Sequence, residues 1–180
     1  MKATGIVRRI DNLGRVVIPR EIRRTLHIRE GDPLEIYTDA GGEVVFKKYS
    51  PIGEMADVAE RMAAALAQKT PYGVAICDQE RYVAAAGAGK AQLVDRRIGE
   101  GVEKVLDERR GYVRGSDGAG VPLTEEDPSH TAAAVLPVIA AGDIAGGVIL
   151  HGGDGAAAPD AAEIKAAQVA ADFFGRTLEG

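Results

Sequence analysis

Arginine dominates the first thirty residues of this chain, and its guanidinium group is the side chain best suited to bind phosphate. Up to residue 29 the chain has eight Lys/Arg and two acids, a net charge of +6, whereas all 180 residues together carry −5. Guanidinium groups stay charged, fork onto phosphate oxygens and can recognise guanine O6 and N7. A basic arm on an acidic protein therefore predicts a phosphate polymer as the partner. The basic residues are Lys2, Arg8, Arg9, Arg15, Arg20, Arg23, Arg24 and Arg29.

The remaining reactive side chains form no catalytic pattern, so we predict no enzyme activity and no metal centre. His130 and His151 stand about twenty residues apart at the ends of two apolar segments, without a paired nucleophile. Residues 87–90 are too short for a phosphate-binding loop of the Walker type. Cys77 is the single cysteine, which excludes an internal disulfide and a Cys-rich zinc site. Its apolar surroundings favour an inert core position over a chromophore anchor.

The first module, residues 1–50, has the pattern β-β-α-β-β. Pro19 suits the first turn of a short helix, because its missing N–H costs nothing there. On this helix Ile22 and Leu26 share one face, and the arginines lie opposite. We expect strands at residues 3–10, 15–18, 34–38 and 43–48, with turns at 11–14 and 39–42. A module this small has a weak core and four short strands with open edges, which predicts a dimer.

The second module, residues 54–180, follows a linker near residues 49–53 and predicts an α+β domain. The expected order is α-β-β-α-α-β-β-β-α, with an antiparallel sheet and helices packed mainly on one face. We expect helices at residues 54–68, 100–110 and 160–179, a shorter helix before residue 100, and strands at 72–78, 81–86, 111–115, 130–140 and 144–151. Residues 116–129 are predicted to form a long acidic loop.

Residues 14–19, Gly-Arg-Val-Val-Ile-Pro, with residues 21–26 and 31–37, resemble the core motif of AbrB-type swapped-hairpin DNA-binding domains. The resemblance implies interlocked dimers that bind double-stranded promoter DNA. Because no predicted helix presents a long row of base-reading side chains, we expect specificity to rest partly on DNA shape. Members include transition-state and sporulation regulators and related antitoxins. The matching positions imply contacts to DNA from Arg8, Arg15, Arg23 and Arg24, and we add Lys2, Thr4, Arg9 and Arg20 to the predicted DNA-binding set.

The second module is similar to GAF domains in element order and length. Such domains commonly hold small ligands, so residues 72–77, 81–85, 116–129 and 130–138 would line a ligand site of unknown specificity. Asp117, Glu125, Glu126 and Asp127 could bind a cation or cover that site, or could simply be solvated. Free methionine sulfoxide reductases use the same fold but need several cysteines, and this chain has one.

An AbrB-type domain joined to a GAF domain implies a sporulation regulator that represses or activates transcription. It implies a tetramer, joined through helices that include residues 54–68 and possibly 160–179. An antitoxin-like protein, or a ligand-binding GAF protein whose first module mainly dimerises, are the alternatives. Because no apolar run approaches the ~20 residues of a membrane span and no secretory signal is evident, we expect a cytoplasmic protein, in the forespore if the resemblance holds.

Overall fold

The computed structural model describes residues 4–26, 28, 30–115, 120–153 and 157–180. The chain divides into two compact units, Met1–Tyr49 and Ser50–Gly180. Among the described residues, no helix has both the length and the apolar character needed to cross a membrane.

The first unit contains one short helix and one hairpin. Helix α1 is Arg20–Thr25, and strands β1, Leu34–Thr38, and β2, Val44–Lys48, pair antiparallel with Ile36 opposite Phe46. Asp39 closes the hairpin, because its carbonyl accepts a hydrogen bond from Gly42 N and its carboxylate accepts one from Glu43 N. Gly42 has φ +83°, a conformation that side chains with a Cβ disfavour.

The strands predicted at residues 3–10 and 15–18 are not formed in the described part of this unit, which corrects the β-β-α-β-β expectation for a single chain. Among the described residues, the bond from the amide of Asp11 to the carbonyl of Arg15 is the backbone contact that joins the two segments as a hairpin would. Val7 is 88% exposed and Val17 71% exposed. A strand exists through its ladder of hydrogen bonds, and one chain does not supply the partner that these segments need.

The second unit is built on a six-stranded antiparallel sheet. The strands are β3 Gly73–Cys77, β4 Tyr82–Ala86, β5 Tyr112–Val113, β6 Val121–Pro122, β7 His130–Ala140 and β8 Asp143–Gly153. They follow the order β4-β3-β8-β7-β5 across the sheet, and β6 also pairs with β7. The two-residue strand β6 lies inside the stretch predicted as a loop. The helices are α2 Pro51–Glu54, α3 Ala56–Ala67, α4 Lys90–Leu93, α5 Glu100–Asp107 and α6 Ala161–Leu178.

Helices cover both faces of this sheet, which corrects the expectation of helices mainly on one face. Helices α3 and α6 pack on the face that carries Val148 and Leu150, whereas α4 and α5 cover the face that carries Ile149. Successive residues of a strand point to opposite faces. Because the residues of β8 on both faces are apolar and buried, each face needs its own covering layer.

Side-chain caps define the starts of helices α2 and α6. The helix predicted at residues 54–68 is α3, and a separate turn of helix, α2, forms in the predicted linker. At the start of α2, Ser50 Oγ accepts a hydrogen bond from Gly53 N at 3.0 Å. At α6, the carboxylate of Asp160 accepts from the amides of Ala162 and Glu163, and the carboxylate of Glu163 accepts from the amide of Asp160. This reciprocal arrangement is a capping box and fixes the first turn of α6.

Candidate nucleic-acid interface

A tight turn presents Arg15 at the surface of the first unit. Asp11 Oδ1 accepts hydrogen bonds from the amides of Leu13 and Arg15, both at 2.9 Å, and Gly14 adopts φ +76°. Asp11 Oδ2 lies 2.7 Å from Arg15 Nε. Hydrogen bonds from the backbone and then the side chain of Arg15 hold the pKa of Asp11 below its usual range. Asp11 therefore stays ionised and fixes both the turn and the base of the Arg15 guanidinium.

Helix α1 carries three arginines on one side. It starts after Pro19, whose carbonyl accepts from Arg23 N at 3.0 Å. At 100° per residue, Arg20, Arg23 and Arg24 lie within about 100° of arc, and Ile22 lies on the opposite side, where it is half-buried. The helix therefore turns its cationic side to solvent, whereas its apolar side is only partly covered: no residue of α1 is fully buried, and Leu26, expected on the face of Ile22, is 53% exposed.

The described arginines of the arm are all exposed. Within the residues that the structure describes, Arg15 is the member of the set with an ion pair, and its side chain remains 70% exposed. These residues are Arg8, Arg9, Arg15, Arg20, Arg23 and Arg24. Thr4 is also exposed, and its Oγ1 accepts from Ile6 N at 3.4 Å. Lys2 lies outside the described residues.

The second unit uses its predicted ligand-lining residues for packing. Val74 and Ile76 belong to the core on one face of the sheet, and Ala75 and Cys77 to the core on the other. Burial raises the pKa of the Cys77 thiol, which keeps it protonated and unreactive. Tyr82 is buried, donates its hydroxyl to the carbonyl of Leu123 at 2.8 Å, and has a pKa raised by burial.

The acidic loop is engaged in local caps. Glu125 Oε1 accepts from Glu100 N at 2.9 Å, at the start of α5. Asp127 Oδ1 accepts from the hydroxyl and the amide of Ser129, which lowers the pKa of Asp127. In the described ranges, no group of three or more His, Cys, Asp or Glu is placed to hold a metal ion. Asp117 lies outside these ranges.

Sequence reasoning missed a contact between two histidines. His130 Nε2 and His151 Nδ1 are 2.8 Å apart, because β7 and β8 form a hairpin that brings its two open ends together. His151 is fully buried, and burial, with a further effect of His130, lowers its pKa to about 3. The position of the hairpin turn was the signal that could have revealed this pair.

Comparison with known proteins assigns this chain to a protein family. Residues 54–179 match the family model described as stage V sporulation protein T C-terminal, transcription factor. The whole chain is 46% identical over 180 residues to stage V sporulation protein T of Bacillus subtilis (strain 168), with 99% of each chain covered. The chain belongs to the stage V sporulation protein T family. Residues 7–53 match the model described as antidote-toxin recognition MazE, bacterial antitoxin.

Three further comparisons concern the two modules of this family member separately. Over 51 residues the chain is 63% identical to the transition state regulatory protein AbrB of the same bacterium, which covers 28% of this chain and 52% of AbrB. The GAF-B domain of DevS from Mycobacterium smegmatis covers 69% of this chain, with a TM-score of 0.51 and 22% identity; 92% of that domain is covered. A free methionine-R-sulfoxide reductase from Thermoplasma acidophilum has a TM-score of 0.54 at 18% identity, with coverages of 71% and 94%. The two solved structures show the GAF-like fold alone.

Family membership and the AbrB-like first module make this protein a DNA-binding transcription regulator of sporulation. The predicted family, the predicted α+β fold class and the predicted regulatory function are thereby confirmed. The antitoxin alternative loses support, because the larger part of the chain matches a transcription-factor domain.

Proposed function

We propose that the regulator binds duplex DNA through Arg8, Arg15, Arg23 and Arg24, with further contacts from Lys2, Thr4, Arg9 and Arg20. One observation carries the proposal: the described arginines of this set are solvent-exposed in a protein whose overall charge is negative. Charges in such a surface attract phosphates and release counterions when they bind. The three arginines of α1 lie on one side of the helix and are exposed, so the helix offers DNA a cationic side.

The binding unit is proposed to be a dimer of first modules. In the described single chain, residues 4–10 and 15–18 lack ladder partners and expose several apolar side chains, among them Val7 and Ile10. Exchange of hairpins between two chains would pair these segments and bury the side chains together. The two-fold dimer then doubles the arginine set and presents it to two half-sites.

The GAF-like unit is proposed to join two such dimers into a tetramer, through the helices of residues 54–68 and 160–179. Helix α6 supports this role, because Val169 and Phe173 are exposed on successive turns of the same side. We propose oligomerisation rather than ligand sensing as the main role of this unit, because the described side chains of β3 are buried in the two hydrophobic cores and do not line a ligand site. We further propose that the protein has no enzymatic activity and acts in the cytoplasm of the forespore.

The test is a titration of promoter DNA with the full chain across a salt series. The double variant Arg23→Ala/Arg24→Ala should flatten the slope of log affinity against log salt by about 1 for each phosphate that the variant no longer neutralises. Arg96→Ala/Arg97→Ala is the matched control, because it removes two adjacent exposed arginines from the second unit. It should leave the slope unchanged. An unaltered slope in the Arg23/Arg24 variant would remove these residues from the interface.

A further inference from the structure

The turn at residues 11–15 places one of the two acids of the basic arm against one of its proposed DNA-binding arginines. Asp11 makes five hydrogen bonds within this turn. Its Oδ1 accepts from Leu13 N and Arg15 N, its Oδ2 accepts from Arg15 Nε, its carbonyl accepts from Gly14 N, and its amide donates to Arg15 O. The carboxylate is thus shared between the backbone of the turn and the guanidinium.

The contact leaves the end of the guanidinium available. The bond to Asp11 uses Nε, and a guanidinium carries four more N–H groups on its two terminal nitrogens. The Arg15 side chain remains 70% exposed. A guanidinium held at its base loses less conformational freedom when its outer fork meets a phosphate or a guanine edge.

A negative charge in this position is unfavourable for DNA binding by simple electrostatics. Asp11 is exposed, and phosphate repels carboxylate, so charge alone predicts that neutralising Asp11 tightens the complex. The geometry predicts the reverse effect, because loss of the carboxylate frees Arg15 from its fixed direction.

We propose that Asp11 is a positioning residue for DNA recognition, which acts by holding Arg15 through Nε. The proposal rests on the proposed role of Arg15 in the interface. Asp11 strengthens DNA binding despite its charge, and its effect depends on the presence of an arginine at position 15.

The variant Asp11→Asn separates the two tasks of the carboxylate. Asparagine keeps one oxygen that accepts from the amides of Leu13 and Arg15, as in other turns of this type. Its NH₂ group replaces the oxygen that faces Arg15 Nε, and a donor cannot accept from another donor. The turn is retained while the link to the guanidinium is lost.

The experiment measures DNA affinity of the full chain for Asp11→Asn in three backgrounds: Arg15, Arg15→Lys and Arg15→Ala. With Arg15 present we expect binding to weaken about three- to tenfold, since a dimer loses the link twice. In the Lys and Ala backgrounds, the same substitution should tighten binding, because only the repulsion is removed. Glu21→Gln, at the other acid of the arm, is the charge control and should tighten binding in every background.

Two outcomes would overturn the proposal. If Asp11→Asn tightens binding with Arg15 present, as Glu21→Gln does, the carboxylate acts only as a charge. If it weakens binding equally in all three backgrounds, its effect comes from the turn rather than from Arg15, and this comparison also removes any general loss of folding. Neither outcome touches the proposed DNA-binding function, which the Arg23→Ala/Arg24→Ala salt series tests separately.

Discussion

His151 is an imidazole enclosed by the sheet of the second unit. It hydrogen-bonds to His130, and Gly73 passes so close that a Cβ there would lie 2.3 Å from His151 Cε1. Its Nε2 has no hydrogen-bond partner among the described residues. A charged imidazole in this place would lack solvation, which explains why its pKa is about 3.

The folded protein should lose stability in acid because of this group. The folded pKa of about 3 lies below the ordinary value of 6.5, so between these values the unfolded chain binds the extra proton. The contribution is complete above pH 6.5 and falls by up to about 1.4 kcal/mol per pH unit as the pH drops toward 3. Urea unfolding of the full chain at about pH 7.5 and about pH 5 should show a smaller pH effect for His151→Gln than for the native protein. Equal pH effects in the two proteins would contradict this assignment.

For individual residues, the sequence predicts burial and exposure better than it predicts which side chains contact each other. Cys77 is buried in an apolar strand as predicted, and the exposure of the described arginines agrees with their expected placement. In the sequence Asp11 is only an opposing charge, because its link to Arg15 depends on the geometry of a glycine turn. The contact of His130 with His151 depends on register, and two irregularities in the β7–β8 pairing shift that register in ways that alternation does not reveal.

Among the elements, α6 shows how small residues set the distance between a helix and a sheet. Gly175 faces β7, and a Cβ there would lie 2.3 Å from the carbonyl oxygen of Ile139. The helix buries Ala167, Ala170, Ala171 and Phe174 on the same side. Glycine in a helix is normally unfavourable, so its presence here is explained by the close approach of the strand backbone.

Gly175→Ala should destabilise the second unit by about 1–3 kcal/mol, although alanine favours helix formation, because the added methyl collides with backbone that cannot rotate away. Thermal unfolding of the full chain measures this loss. Gly101→Ala in α5 is the control, since its nearest neighbour is the side-chain atom Val121 Cγ1, and side chains adjust more easily than backbone. A gain in stability for Gly175→Ala would show that α6 can move off the strand.

Prediction from sequence succeeds for helices and strands that are long enough to show a hydrophobic pattern within their own residues. The strand predicted at residues 130–140 is β7, and the predicted helix at 160–179 lies within one residue of α6 at each end. It fails where an element depends on another. Strand β6 has two residues and exists only through its pairing with β7. The segments at residues 4–10 and 15–18 are rich in the β-branched residues that favour strands, but in the described single chain they form no ladder.

The two units of the molecule differ in how far each buries its own apolar side chains. The second unit covers both faces of its sheet with its own helices. The first exposes Ile6, Val7, Ile10 and Leu13 in a stretch of fewer than ten residues. Isolated exposed apolar residues are ordinary, but a concentration of them marks a surface that another chain covers.

Val7→Asp should therefore reduce the assembly of the full chain, measured as molar mass by sedimentation. The side chain is 88% exposed in the single chain, so a protein that stays monomeric would tolerate the change. In a dimer with exchanged hairpins the carboxylate would be buried without a partner, at a cost of several kcal/mol. Asn12→Asp adds the same charge at an exposed polar position and is the control. Equal masses for both variants and the native protein would contradict this arrangement.

The unpaired segments at residues 4–10 and 15–18 also affect how the amount of DNA-binding protein depends on the amount of chain in the cell. In the proposed dimer the DNA-binding module is completed by exchange of hairpins, so a chain has its recognition surface only after it meets a second copy. At low abundance the amount of competent protein then rises with the square of the amount synthesised, since stability and partner supply are linked by mass action. Modest changes in expression would be converted into steeper changes in promoter occupancy, which gives a developmental regulator a threshold without a dedicated ligand.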